Sequence, residues 1–107
     1  MHLDPTSLRL FVRVLETGTI AAVAEQEHIA ASAISKRISE LETCLNAQLL
    51  VRTNRGVGGT QAGKALAQLS RGVLHQLEEV HARMNEYSQG MRGEVRIVAN
   101  ISAIIQF

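Results

Sequence analysis

The sequence predicts a mainly α-helical chain of three short helices, a two-stranded hairpin and one long helix. Apolar residues recur at steps of three and four along most of its 107 residues, the spacing that places them on one face of a helix. Residues suited to helix ends stand where those runs start and stop, among them Asp4-Pro5, Gly18, Thr19, Asn46 and Thr60. The periodicity breaks between Leu49 and Gly59, where strand and turn chemistry replaces it.

Asp4 is a capping residue and Pro5 suits the first helical position, so the first helix runs from about Pro5 to Thr17. Leu8, Phe11, Val12, Val14 and Leu15 form its apolar face, and Gly18 ends it in the left-handed position that glycine favours. Thr19 caps a second helix, to about Glu27, whose run Ile20-Ala21-Ala22-Val23-Ala24 is small enough for close packing. His28-Ile29-Ala30 is a short break in which His28 serves in packing or capping. A third helix turns Ala33, Ile34, Ile38, Leu41 and Leu45 toward the interior and ends at Asn46. Leu49-Leu50-Val51-Arg52 then reads as a strand, Thr53-Asn54-Arg55-Gly56 as a turn and Val57-Gly58-Gly59 as the returning strand.

Thr60 caps a long helix from about Gln61 to Gln89, with Leu66, Leu69, Val73, Leu77, Val80, Met84 and Tyr87 on one stripe. At about 1.5 Å per residue it spans about 43 Å, too long for the small domain before it to cover. Gly90 and Gly93 bracket an expected hinge, and Glu94 to Ala99 alternates toward a strand. That strand and the apolar tail to Phe107 read as the opening of a further domain that is cut short. The expected organisation is residues 1–60, a linker helix over 61–89, and a hinge with a first strand over 90–107.

Composition excludes several function classes. Aromatic residues make up 3% of the chain (Phe11, Tyr87, Phe107), too few for a platform that stacks single-stranded bases. The single Cys44 excludes an internal disulfide framework and reads as an inert small apolar residue. His75 and His81 stand six apart, about 240° around a helix, and cannot clamp one metal, so neither metal nor cofactor is expected. No apolar run approaches the roughly 18 residues of a membrane span, and the N-terminus lacks a secretory layout. A soluble chain of the reducing cytoplasm is expected. The one aspartate is Asp4, in a helix cap, so no acid is placed to orient a catalytic base. Gly56-Val57-Gly58-Gly59 lacks the lysine and spacing of a phosphate loop. No enzyme is expected.

The net charge of +1 conceals an asymmetry. Residues 30–64 carry Lys36, Arg37, Arg52, Arg55 and Lys64 against Glu40 and Glu42, a balance of +3, while the first 29 residues are net acidic. This is the footprint of a small anion-binding face. It coincides with two short helices joined by a three-residue turn, the second bearing Ser32, Ser35, Lys36, Arg37 and Ser39, and with a following hairpin. Together they make a winged helix-turn-helix pattern. Ile34, Ile38 and Leu41 would seat the second helix, leaving hydroxyls and cations for phosphates and base edges. Small residues at its start (Ala30, Ala31, Ser32, Ala33) let the backbone approach a duplex.

The segment from Thr19 through Ala33-Ile34-Ser35-Lys36-Arg37-Ile38-Ser39-Glu40-Leu41-Glu42 resembles the signature of LysR-type transcriptional regulators. Leu8, Phe11, Val14 and Gly18 before it, and Leu45, Leu49, Arg52, Arg55, Thr60, Ala62 and Gly63 after it, extend the resemblance over roughly residues 3–66. The resemblance implies a DNA-binding winged helix-turn-helix, a linker helix that pairs with its twin in a homodimer, and a C-terminal domain that binds a small-molecule effector. On this frame the DNA contacts map onto Ala31, Ser32, Ser35, Lys36 and Arg37, with Arg55 on the wing; Arg52 is either an internal salt bridge or a phosphate clamp. The long stripe Leu66 to Tyr87 becomes the dimer seam, and a tetramer of the full-length protein stays open. Departures from the family pattern are Ala30-Ala31-Ser32 where a polar pair and a proline are frequent, Thr19 for Ser, Glu27 for Leu, Asn46 for Gly and Leu50 for Phe. A target sequence therefore does not transfer from relatives. The competing reading is a dimerising protein-interaction module that stays off DNA; the basic middle third and the wing arginine weigh against it.

Overall fold

Local chemistry at Asp4 starts the first helix. Its Oδ1 accepts the Thr6 amide at 2.9 Å, and Pro5 takes the first position of α1 (Pro5–Thr17). Gly18, at φ 86°, closes that helix by donating its amide to the Val14 carbonyl at 2.8 Å. Thr19 Oγ1 then accepts the Ala22 amide at 3.1 Å to open α2 (Ile20–Glu27). His28 (φ 60°) ends α2 and Asn46 (φ 52°) ends α3 (Ala31–Leu45), both in the left-handed region. The capping role expected of His28 is the one it has. These bounds match those read from the sequence.

The computed structural model describes residues 3–93. After α3 come β1 (Leu50–Thr53) and β2 (Gly56–Gly59), antiparallel with Leu50 opposite Gly59 and Thr53 opposite Gly56, and then α4 (Gln61–Gly93). Two units are distinguished, one ending at Leu74 and the other beginning at His75. The core of the first includes Leu8, Leu10, Phe11, Val12, Val14, Val23, Ile34, Ile38, Leu41, Leu49 and Ala67, so α1, α2, α3, the residue before β1 and the start of α4 all contribute to it. Fully burying each of the larger of these side chains stabilises the fold by roughly 1.5–3 kcal/mol before chain entropy is counted. No helix among the described residues is long and apolar enough to cross a membrane.

Three expectations shift. The first strand begins at Leu50, not Leu49: Leu49 is buried, its amide goes to the Glu42 carboxylate and its carbonyl accepts the Thr60 amide at 3.1 Å. Both of its backbone groups are committed before the ladder starts. The long helix continues past Gln89 and through Gly90 to Gly93. A helical glycine costs about 1 kcal/mol but keeps its amide hydrogen, so unlike proline it does not stop a helix. The strand expected from Glu94 to Ala99 and the apolar tail lie outside the described residues.

The third shift concerns the face that α4 presents to its own unit. Gly63, Ala67 and Ser70 are buried, whereas Leu66, expected in the dimer stripe, is only half-buried and packs on the core. Small residues allow close approach: a Cβ on Gly63 would sit 2.0 Å from the Leu49 carbonyl oxygen. The hairpin is held just as closely at its other end. Val57 donates its amide to the Gly18 carbonyl at 2.9 Å, and a Cβ on Gly56 (φ 145°) would fall 2.2 Å from that same oxygen.

Glu27 takes on a role that its apolar counterpart in the family pattern would lack. Its carboxylate meets Arg9 at 2.9 Å and Arg13 at 3.3 Å, joining α2 to α1, and Arg13 also donates to Gln26. The hydrogen bond from Arg9 holds the Glu27 carboxyl below its ordinary value of 4.5; the charges of Arg9, Arg13 and His28 act the same way, and burial opposes them. A carboxylate depressed in the folded state stabilises above its unfolded pKa and ceases to do so as the pH falls through the folded one. The difference in urea midpoint between the native chain and Glu27→Gln should therefore be constant at neutral pH and close below about pH 4. A difference that stays constant into acid would show that the ion pairs contribute nothing.

Candidate nucleic-acid interface

One side of α3 is sealed against the core by Ile34, Ile38 and Leu41. The other carries Ala31, Ser32, Ser35, Lys36 and Ser39, all exposed. The start of α3 also differs from those of α1, α2 and α4. Asp4, Thr19 and Thr60 give their side-chain oxygens to the amides of their helices, while Ala30 has none to give. The first-turn amides of α3 thus receive no side-chain cap, and the positive end of its dipole faces outward with them. Phosphate oxygens suit such an end.

Glu42, in the last turns of α3, fixes where the hairpin lies. Its Oε2 accepts the amides of Leu49 at 2.8 Å and Leu50 at 3.3 Å. Its carboxylate thus serves as an acceptor for two backbone amides at the root of the hairpin. Thr60 Oγ1 donates to the Gln48 carbonyl at 2.6 Å and closes the far end of the same corner. Between α3 and the hairpin lies a groove of about 380 Å³ lined by Ser35, Ser39, Glu42, Gln48, Val51 and Arg52, among others. Arg55 stands exposed at the two-residue tip, its amide donating to Thr53 Oγ1 at 3.2 Å.

The lysines and arginines whose side chains are described sort into two sets. Arg9, Arg13, Arg37, Arg71 and Arg83 are each ion-paired to a carboxylate. Among the described residues Lys36, Arg52, Arg55 and Lys64 make no such pair. Three of these four lie on α3 and the hairpin, where their charges are uncompensated. Arg52, for which an internal salt bridge was one expectation, has none. Arg37 stands apart from the other sequence-predicted contacts: its Nη1 reaches Asp4 Oδ2 at 3.1 Å and Ser7 Oγ at 3.0 Å, back on α1. Asp4 and Gln48 escaped sequence reasoning as parts of this region, since each acts through a partner that no periodicity links to it.

Of the remaining expected residues, Leu69, Val73, Leu77, Val80, Met84 and Tyr87 on α4 are between 45% and 70% exposed, an apolar set left uncovered by the described residues. Cys44 is half-buried.

Comparison with known proteins agrees with this geometry. Residues 5–64 match the family model of the bacterial regulatory helix-turn-helix proteins of the lysR family. Over 90 residues, 84% of the chain, it is 40% identical to the nitrogen assimilation regulatory protein Nac of Klebsiella aerogenes, and it spans 30% of that protein's length. The structure is similar to the DNA-binding domain of CbnR solved in complex with DNA, with a TM-score of 0.75 and 29% identity over 79% of this chain and 98% of that one. It is also similar to the BenM DNA-binding domain on catB site 1 DNA, with a TM-score of 0.78 and 28% identity over 82% of this chain and 98% of that one. By the match over residues 5–64, the chain belongs to the LysR family of bacterial regulatory helix-turn-helix proteins.

Proposed function

We propose that this chain is the DNA-reading part of a bacterial transcription regulator that acts without catalysis or cofactor in the cytoplasm. In this reading α3 enters the major groove with Ala31, Ser32, Ser35 and Lys36 toward base edges and flanking phosphates. Arg52 clamps a phosphate beside it, and Arg55 at the wing tip reaches the neighbouring minor groove. The observation that carries the reading is the uncompensated charge of Lys36, Arg52 and Arg55 on one helix and its adjoining hairpin, while Arg9, Arg13, Arg37, Arg71 and Arg83 are each paired within the chain. Two copies pair through Leu69, Val73, Leu77, Val80, Met84 and Tyr87 of α4, and a two-fold dimer reads a pseudo-palindromic operator. The chain spans 30% of the length of relatives such as Nac, and a small-molecule effector would bind in a region corresponding to the remainder, where any tetramer contacts would also lie.

Titrating labelled duplex DNA with the chain at several salt concentrations tests this. Affinity should fall linearly on a log–log plot, by about 0.9 in slope for each phosphate neutralised. Lys36→Ala and Arg55→Ala should each weaken binding and flatten the slope by about one, if each meets a phosphate. Absence of binding to any duplex, or binding indifferent to salt, would leave the dimerising interaction module as the better reading.

A further inference from the structure

The geometry points to Asp4 and Arg37 as a strut that positions α3 for reading DNA, an inference that rests on the DNA-binding reading above. Arg37 occupies the middle of the reading helix in sequence, beside Lys36. Its guanidinium, however, turns to α1, where Nη1 donates to both Asp4 Oδ2 (3.1 Å) and Ser7 Oγ (3.0 Å). Asp4 is doubly used: Oδ1 caps α1 through the Thr6 amide while Oδ2 receives Arg37. Ser7 is buried, so its hydroxyl oxygen is a fixed acceptor, not a mobile surface one.

The strut therefore runs from the first residues of α1 to the centre of α3, across 33 positions of sequence. As a stability element it is weak, because both side chains are about two-fifths exposed and such pairs contribute little in water. Its consequence is angular. Ile34, Ile38 and Leu41 fix how deeply α3 sits, but apolar contacts are non-directional and tolerate a roll about the helix axis. Two charge-assisted hydrogen bonds on one flank oppose that roll. Hydrogen bonds from Ser32, Ser35 or Lys36 to base edges weaken steeply with misalignment, so a small roll removes discrimination while leaving phosphate attraction in place. Arg37 is thus a positioning residue.

The opposite sign of two effects separates this from a direct DNA contact. Asp4→Asn keeps a side chain that caps α1 as well as aspartate does, and removes the charge that holds Arg37. If Asp4 were merely an acid near DNA, its removal would raise affinity for every duplex alike. As part of the strut, its removal should lower the ratio of specific to non-specific affinity by about tenfold, on the scale of one good base contact. The probes are a duplex that the native chain selects from a random-sequence pool and poly(dI–dC). Arg37→Met should lower the ratio equally, leave the salt slope unchanged, and add nothing to Asp4→Asn in the double variant. Arg37→Lys, which retains a cation for Asp4, should restore most of the ratio. Thermal unfolding of each variant verifies that the fold persists. A flattened salt slope in Arg37→Met, additive losses, or an unchanged ratio in Asp4→Asn would overturn the strut. Failure of the native chain to select any duplex would instead overturn the DNA-binding reading beneath it.

Discussion

Gly63→Ala is expected to destabilise the first unit by about 3 kcal/mol, although alanine is the better helix former. The gain in helix propensity is about 1 kcal/mol. Against it stands a Cβ placed 2.0 Å from the carbonyl oxygen of Leu49, with that residue's carbonyl carbon 3.0 Å away. Both neighbours are backbone, so no rotamer change relieves the overlap. Relief requires α4 to step away from Leu49, and Ala67 and Ser70, buried on the same face, lose their packing with it. The Thr60 amide bond to the Leu49 carbonyl would be disturbed in the same movement. Gly72 on the same helix serves as the control, since nothing lies within 4 Å of its Cβ position. Gly72→Ala should stabilise by up to about 1 kcal/mol. Urea unfolding at constant m-value reads both. A higher midpoint for Gly63→Ala would show that the close approach of α4 to Leu49 is dispensable.

Leu77→Asp is expected to convert a dimer into monomers while leaving the winged domain folded. Leu77 is 45% exposed and lies between Val73 and Val80 on the apolar set of α4. Soluble monomers avoid apolar patches of this length, which is why a second copy is the natural cover. A two-fold seam would bury two aspartates at that level, each unpaired, at a cost of several kcal/mol apiece. The residues that hold the winged domain together, from Leu8 to Ala67, do not include position 77. Light scattering at matched concentration gives the mass, and circular dichroism follows the melting of the helices. A monomeric native chain, or a variant that stays dimeric, would remove α4 as the seam. Loss of one half-site's worth of DNA affinity should accompany dissociation, with the salt slope roughly halved.

Helix ends were legible because caps are local. Asp4, Thr19 and Thr60 each act on an amide two or three residues away, and Gly18 and Asn46 adopt backbone conformations that their own side chains permit. The exposed face of α3 was legible for the same reason, following from where Ile34, Ile38 and Leu41 must go. Contacts between distant residues were not. Periodicity selects large apolar residues, so on α4 it picks out the series through Leu66, Leu69 and Val73. The face that packs on the chain's own core is instead Gly63, Ala67 and Ser70, whose smallness is what lets two backbones meet. Arg37 shows the same limit within the site. Its residue type and position suit a DNA contact, and its attachment to Asp4 and Ser7 depends on the angle at which α1 crosses α3. The ion pairs of Glu27 have no local signal, because the two arginines it joins lie on another helix.

The attachment of the start of β2, beside the hairpin tip, to the turn after α1 has a dynamic consequence. With the Val57 amide on the Gly18 carbonyl and Gly56 packed against that oxygen, β2 cannot lift without breaking the turn that joins α1 to α2. Opening of that amide to solvent should then require disruption of the core, so its hydrogen exchange should be among the slowest in the chain. The tip residues Asn54 and Arg55, exposed and free of that tether, should exchange within the ordinary range for loops. Arg55 would accordingly meet DNA from a backbone already ordered, and the entropy lost on association at the wing would be confined to the rotamers of one side chain.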